Sequence, residues 1–153
     1  SNIKLVVIGQ DPYPSVGDAI GYAFATGNKK KPASFKIIEE ELGHSIPNDL
    51  HTWREQGVFL LNTALTVINK QPGSHIPYWR KFTIDVIETI SNQNPCAWLL
   101  MGKYAQSYIE FIKQGNLIFK VPHPAAEVYS GKRAGFIGSG IFNLINDKTS
   151  LSL

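Results

Sequence analysis

Ile3-Lys4-Leu5-Val6-Val7-Ile8-Gly9-Gln10-Asp11-Pro12-Tyr13-Pro14 is the stretch around which the rest of the chain is organised. Its first half is a short β-branched apolar run that stops at a glycine, the pattern of a strand buried in a parallel sheet. In open α/β sheets, ligands bind in the crevice beyond the carboxyl ends of the strands. Gln10 and the residues after it therefore stand where chemistry is done. Two prolines restrict the loop, so Asp11 and Tyr13 are aimed at little entropic cost. A carboxylate fixed in this way either acts as a general base or caps the next segment through an Asx-turn.

Working outward, a Gly-bounded irregular segment runs from Gly17 to Gly27, and Phe24 within it reads first as core. Ser34 is the expected N-cap of a helix carrying Phe35, Ile38 and Leu42, and an N-cap with free amides is also a phosphate site. Asn48 is expected to start a second helix around Leu50 and Trp53, stopped by Gly57. Val58-Phe59-Leu60-Leu61 reads as a second buried strand that ends in Asn62-Thr63. A helix with Trp79, Phe82, Val86, Ile87 and Ile90 on one face follows. A third strand, Ala97 to Met101, leads into Gly102-Lys103 and a helix around Ala105, Ile109 and Ile112. A fourth, Leu117 to Val121, ends in Pro122-His123-Pro124, and a last helix begins near Gly138. This alternation predicts an α/β fold, a central parallel four-stranded sheet flanked by helices in a three-layer α/β/α arrangement. Residues 1–153 are read as a single domain. Asp11, Asn62, Gly102 and His123 should meet at one edge of the sheet.

The bulk properties exclude several classes. Among 153 residues, 43% are hydrophobic and 18% charged, as in an ordinary globular domain. The single cysteine, Cys96, lies in an apolar run, and the four histidines are scattered without ligand spacing. No disulfide framework, metal or cofactor is therefore expected. No apolar run reaches transmembrane length and no signal-peptide pattern is present, so an intracellular protein without a membrane partner is expected. Neither G-x-G-x-x-G nor a P-loop follows the first strand, against a nucleotide-binding enzyme. The net charge is +3, with bases bunched at Lys29-Lys30-Lys31, Arg80-Lys81 and Lys132-Arg133. Such runs are either solvated loops or a phosphate footprint.

Taken in order, these motifs resemble those of a family 1 uracil-DNA glycosylase, from Leu5 to about Asn146. Gly9-Gln10-Asp11-Pro12-Tyr13 is similar to that family's water-activating loop, and Gly21-Tyr22-Ala23-Phe24 to the segment whose Phe stacks on uracil. Pro32-Ala33-Ser34 resembles the proline-rich loop that touches a phosphate, and Leu60-Leu61-Asn62-Thr63 the uracil-reading motif. Leu99 to Gln106 resembles the Gly-Ser loop and its helix, His123-Pro124 opens the loop that enters the minor groove, and Phe136-Ile137-Gly138 resembles the start of the final helix. The departures are specific. Pro14 stands where the family usually has His, Lys103 replaces the Ser of the Gly-Ser loop, and His123-Pro124-Ala125-Ala126 replaces His-Pro-Ser-Pro. The customary wedge leucine falls at Glu127, and the helices that precede the first strand in full-length members are absent.

The resemblance implies hydrolysis of the uracil N-glycosidic bond in single- and double-stranded DNA by base flipping, without a lyase step. Asp11 and His123 are its implied catalytic residues, and Gln10, Tyr13, Phe24 and Asn62 its substrate-binding residues. Ser34, Lys103, Val128, Tyr129, Ser130, Lys132 and Arg133 are expected on DNA, with Val128 or Tyr129 replacing the wedge. DNA-mimicking protein inhibitors are further expected partners of a monomer, cytoplasmic or, in a eukaryotic or viral setting, nuclear. The alternative is a non-catalytic DNA-binding or processivity relative on the same fold.

Overall fold

The computed structural model describes residues 2–153. Four five-residue strands, β1 (Leu5–Gly9), β2 (Val58–Asn62), β3 (Ala97–Met101) and β4 (Leu117–Val121), form one sheet in the order β2-β1-β3-β4. Every pairing is parallel. β1 and β3 are buried along their whole length, which their unbroken apolar sequence requires, whereas the outer strands expose Phe59 and Leu117.

Alternate residues of each strand point to opposite faces and build two cores. Leu5, Val7, Leu60, Leu99 and Phe119 pack with Phe35, Ile38, Trp53 and Phe142 from α1 (Ala33–Leu42), α2 (His51–Arg54) and α6 (Ile141–Lys148). On the other face Val6, Ile8, Trp98 and Leu100 meet Ile87 of α3 (Ile76–Gln93) and Ala105 of α4 (Gly102–Gln106). The result is the expected three-layer α/β/α arrangement. Among the described residues no helix is long and apolar enough to cross a membrane.

The helices depart from expectation in detail. Ser34 is not the N-cap of α1. The Pro32 carbonyl already accepts the Lys36 N–H at 3.2 Å, so Pro32 is the cap and Ser34 falls in the first turn. Asn48 does not start α2; its side chain donates to the Asn28 carbonyl at 2.9 Å, and the Asp49 carboxylate receives the His51 N–H at 3.2 Å instead. The inward line of α3 is Thr83, Ile87 and Ser91, while Phe82 is 46% exposed and packs edge-on against Trp79. The expected helix over 105–112 breaks into α4 and a 3-10 turn at Ile109–Phe111. The final helix starts at Ile141, later than Gly138, and a short helix, α5 (Ala125–Ser130), fills the loop after His123.

The strand order places a topological switch between β1 and β3: the chain leaves β1 toward β2 and later builds β3 and β4 on the other side. The crevice this leaves at the carboxyl ends is the ligand position of open α/β sheets.

Candidate active site

Gly9 ends β1 directly opposite Asn62, the last residue of β2. A Cβ at Gly9 would lie 2.8 Å from Asn62 Oδ1 and 3.0 Å from the Phe24 ring. Only glycine lets the amide and the ring close on this strand end. One residue on, the Gln10 carbonyl accepts the Thr63 hydroxyl at 2.6 Å and the Ala64 N–H at 3.0 Å, binding the first loop to the exit of β2.

The Asp11 carboxylate makes no Asx-turn. Its Oδ2 accepts the Gly73 N–H at 2.6 Å, and its Oδ1 accepts the Gln10 side-chain amide at 3.2 Å. Burial pushes its pKa above the ordinary carboxylate value, against the opposing pull of these two bonds, so Asp11 is a stronger base than a free aspartate. Tyr13 donates its hydroxyl proton to the Phe24 carbonyl at 2.7 Å. Burial, the chief cause, drives that phenol up to about 12, with Ser34 pulling the other way. It therefore stays a neutral donor. Phe24 holds a left-handed backbone, φ 65°, a conformation that costs a non-glycine residue about 1–3 kcal/mol. The Tyr13 bond pins that carbonyl, and the ring faces His123 with centroids 5.6 Å apart.

His123 enters from the end of β4. Its Nδ1 accepts the Ala125 N–H at 3.1 Å, so the neutral ring carries its proton on Nε2. Burial lowers its pKa to about 4, and the imidazole is uncharged at neutral pH. Gly102, φ 86°, admits this histidine: a Cβ there would stand 2.9 Å from His123 Cβ.

These groups line one cavity of about 710 Å³, together with Ser34, Tyr22, Leu65, Pro72 and Tyr129. Of the residues expected from sequence, it gathers Gln10, Asp11, Tyr13, Phe24, Ser34, Asn62, His123 and Tyr129. The others stand outside it. Lys103 is exposed, its ammonium 5.1 Å from the Tyr104 ring centre. Lys132 is held by both oxygens of Glu40 at 2.8 and 2.9 Å. Ser130 receives the Arg133 N–H at 3.0 Å, so these two residues first serve their own turn. Val128 is 51% exposed and Tyr129 89% exposed, while Glu127 points inward.

A family model described as the uracil DNA glycosylase superfamily matches residues 1–137. The chain belongs to that superfamily. A uracil-DNA glycosylase of Amoebophilus asiaticus is 40% identical over 155 residues, covering 95% of this chain and 69% of the relative. One of Borrelia duttonii is 41% identical over 152 residues, covering 93% of this chain and 67% of its own length. The crystal structure of mimivirus uracil-DNA glycosylase superposes with a TM-score of 0.74 at 28% identity, covering 80% of this chain and 50% of that one. A variant of the mimivirus protein has also been solved in complex with UGI, with a TM-score of 0.74 at 28% identity, covering 80% of this chain and 51% of that one. The family of uracil-DNA glycosylases makes the chain a hydrolase acting on N-glycosyl bonds, on a fold that its relatives share.

Within this cavity, sequence reasoning gave no role to Gly73 or to Tyr22. Gln71-Pro72-Gly73 is a visible turn signal, but nothing local tells that its amide reaches Asp11. Tyr22 lines the cavity with the Arg54 guanidinium 4.3 Å from its ring centre, a stacking whose partner lies on a different element.

Proposed function

We propose that this chain is a family 1 enzyme that releases uracil from single- and double-stranded DNA by base flipping, leaving an abasic site and an intact strand. The observation that carries this reading is a single cavity in which Asp11, Asn62 and a neutral, Nε2-protonated His123 converge from the ends of three strands.

The extruded base stacks on Phe24. Asn62 accepts from uracil N3–H through Oδ1 and donates to O4 through its amide, a pattern that cytosine's edge reverses. Tyr13, fixed by its bond to the Phe24 carbonyl, fills the space beside C5 and excludes thymine's methyl. Gln10 completes the contacts to the base. In the reaction the bond between C1′ and N1 breaks and its electron pair leaves with uracil. His123 Nε2–H donates to O2 and stabilises the anion, and fixed dipoles of this kind are typically the largest catalytic effect. Asp11 stabilises the cationic sugar and orients the water whose oxygen bonds to C1′, taking the proton that this water sheds, so that the products are the abasic sugar and the uracil anion held by His123. Protein groups and water suffice for these steps. No lysine stands at a catalytic position of these motifs, so strand cleavage through a Schiff base is not expected.

Ser34 at the cavity wall and exposed Lys103 contact phosphates in this reading, as do Ser130 at the end of α5 and Lys132 and Arg133 beyond it. Lys132 must exchange Glu40 for a phosphate to do so. Val128 or Tyr129 takes the place of the wedge, Tyr129 being the one that lines the cavity. DNA-mimicking protein inhibitors would meet the same surface, and the enzyme acts as a monomer inside the cell.

The test is incubation with uracil-containing single- and double-stranded oligonucleotides, followed by assay for free uracil and for alkali-labile sites. Release of uracil from both substrates is expected. Binding without release from either would move the reading to a non-catalytic DNA-binding relative.

A further inference from the structure

Among the described residues Glu127 is the acidic side chain that is buried, at 1% exposure. It belongs to α5, a helix of six residues that is too short to hold itself in water. Beyond it the chain reverses through two consecutive left-handed residues, Gly131 (φ 63°) and Lys132 (φ 64°), and then Gly135 (φ 98°). Such an irregular segment has no ladder partners for its amides, and a buried amide without an acceptor is costly. Glu127 supplies the acceptors. Its Oε1 receives the N–H groups of Phe136 at 2.6 Å and Ile137 at 3.0 Å, its Oε2 that of Ala134 at 3.1 Å, and its own carbonyl that of Lys132 at 2.9 Å.

We propose that Glu127 is a positioning residue whose carboxylate clamps Ala134–Ile137 beneath α5 and so presents Tyr129 at the mouth of the cavity. This rests on the glycosylase reading above and deepens it. The clamp acts on opening of the duplex and not on bond cleavage.

Helix geometry separates the two jobs. Tyr129 is two residues after Glu127, roughly 200° around the helix, so the anchor and the exposed aromatic occupy opposite sides. Withdrawing Glu127 to serve as a wedge would strand three amides at once. Burial alone would raise its pKa, but the amides of Ile137, Ala134, Phe136 and Gly135 together hold it below the ordinary value, so the clamp is an anion at neutral pH.

The experiment compares Glu127→Gln with the parent in single-turnover excision from single-stranded and duplex uracil substrates. Gln keeps the volume but turns one acceptor into a donor facing amides. The duplex rate should fall about tenfold or more, the scale on which a charge-assisted bond matters. The single-stranded rate should stay within about threefold, because no unpairing is needed there, and this retained activity certifies the fold. In a Tyr129→Ala background the same change should alter the duplex rate by less than about threefold, since the route through Tyr129 is already gone. Hydrogen exchange at Ala134, Phe136 and Ile137 should quicken about tenfold or more while β1 and β3 stay protected. Equal losses on both substrates, independent multiplication with Tyr129→Ala, or unchanged exchange would each overturn the proposal. A parent that releases no uracil from either substrate would fail the glycosylase reading, and the exchange measurement then decides the clamp by itself.

Discussion

Lowering the pH should expose the buried neutral state of His123. Its imidazole titrates near 6.5 when free and at about 4 in the fold, because burial opposes the charged form. Above 6.5 the folded and unfolded states both hold it neutral, and it contributes nothing to the pH dependence. As pH falls below 6.5 the unfolded chain takes a proton that the folded chain refuses, so stability declines until the folded ring also protonates near 4. The loss attributable to this residue is about 1.4 kcal/mol at about pH 5.5 and about 3 kcal/mol at about pH 4. Other groups titrate in the same window. The informative quantity is therefore the parent's urea-unfolding free energy minus that of His123→Gln, measured from neutral to acid pH. That difference should fall by these amounts. In parallel, imidazole ¹⁵N spectra should show an Nε2-protonated neutral ring below pH 6, the state that accepts the Ala125 N–H. A ring that charges near 6.5, or one protonated on Nδ1, would refute both the burial argument and the donor role toward uracil O2.

Asp11→Asn should slow single-turnover excision by about 10²–10³-fold or more while uracil-DNA binding persists in a gel-shift titration. Asn62→Asp should weaken discrimination against cytosine, and Tyr13→Ala should permit slow release of thymine; both are read as free base under excess enzyme. Gly9→Ala, whose methyl would press on Asn62 and Phe24, should cost about 1–3 kcal/mol in stability by urea unfolding and weaken uracil binding. Tyr129→Ala or Val128→Ala should slow excision from duplex more than from single strands, a ratio obtained from paired single-turnover assays.

The sheet, its four loops and the gathering of Asp11, Asn62 and His123 were legible because apolar runs ending in Gly, Asn or Pro carry their own direction. Alternation along β1 and β3 assigns residues to both faces, and all strand ends of a parallel sheet share one edge. What stayed hidden depends on partners remote in sequence. Asp11 is bound by an amide 62 residues away, so its local Asx-turn alternative could not be dismissed from the loop itself. α5 spans six residues, too few for a helical period to declare itself. Ser34 has the side chain of a cap, but nothing in that side chain shows that the Pro32 carbonyl takes the first helical bond. Glu127 reads only as the residue that stands at the wedge position without suiting it, because an acid in a short loop gives no sign that three amides surround it.

β4 is one of the two edge strands of the sheet and is paired only with β3, with Leu117 left 42% exposed. It is also the strand that leads to His123, whereas Asp11 and Tyr13, which holds the Phe24 carbonyl, follow β1 and Asn62 ends β2. Edge strands, with fewer backbone partners, open more readily than central ones, but the other edge, β2, is tied at its exit to the Gln10 carbonyl through Thr63 and Ala64. In the proposed mechanism, a molecule peeling at β4 would lose its leaving-group stabiliser before it lost its grip on uracil. Partial damage would convert the enzyme into a reader that occupies a lesion without repairing it, and the sharpest early sign of ageing in a preparation would be falling turnover at undiminished affinity.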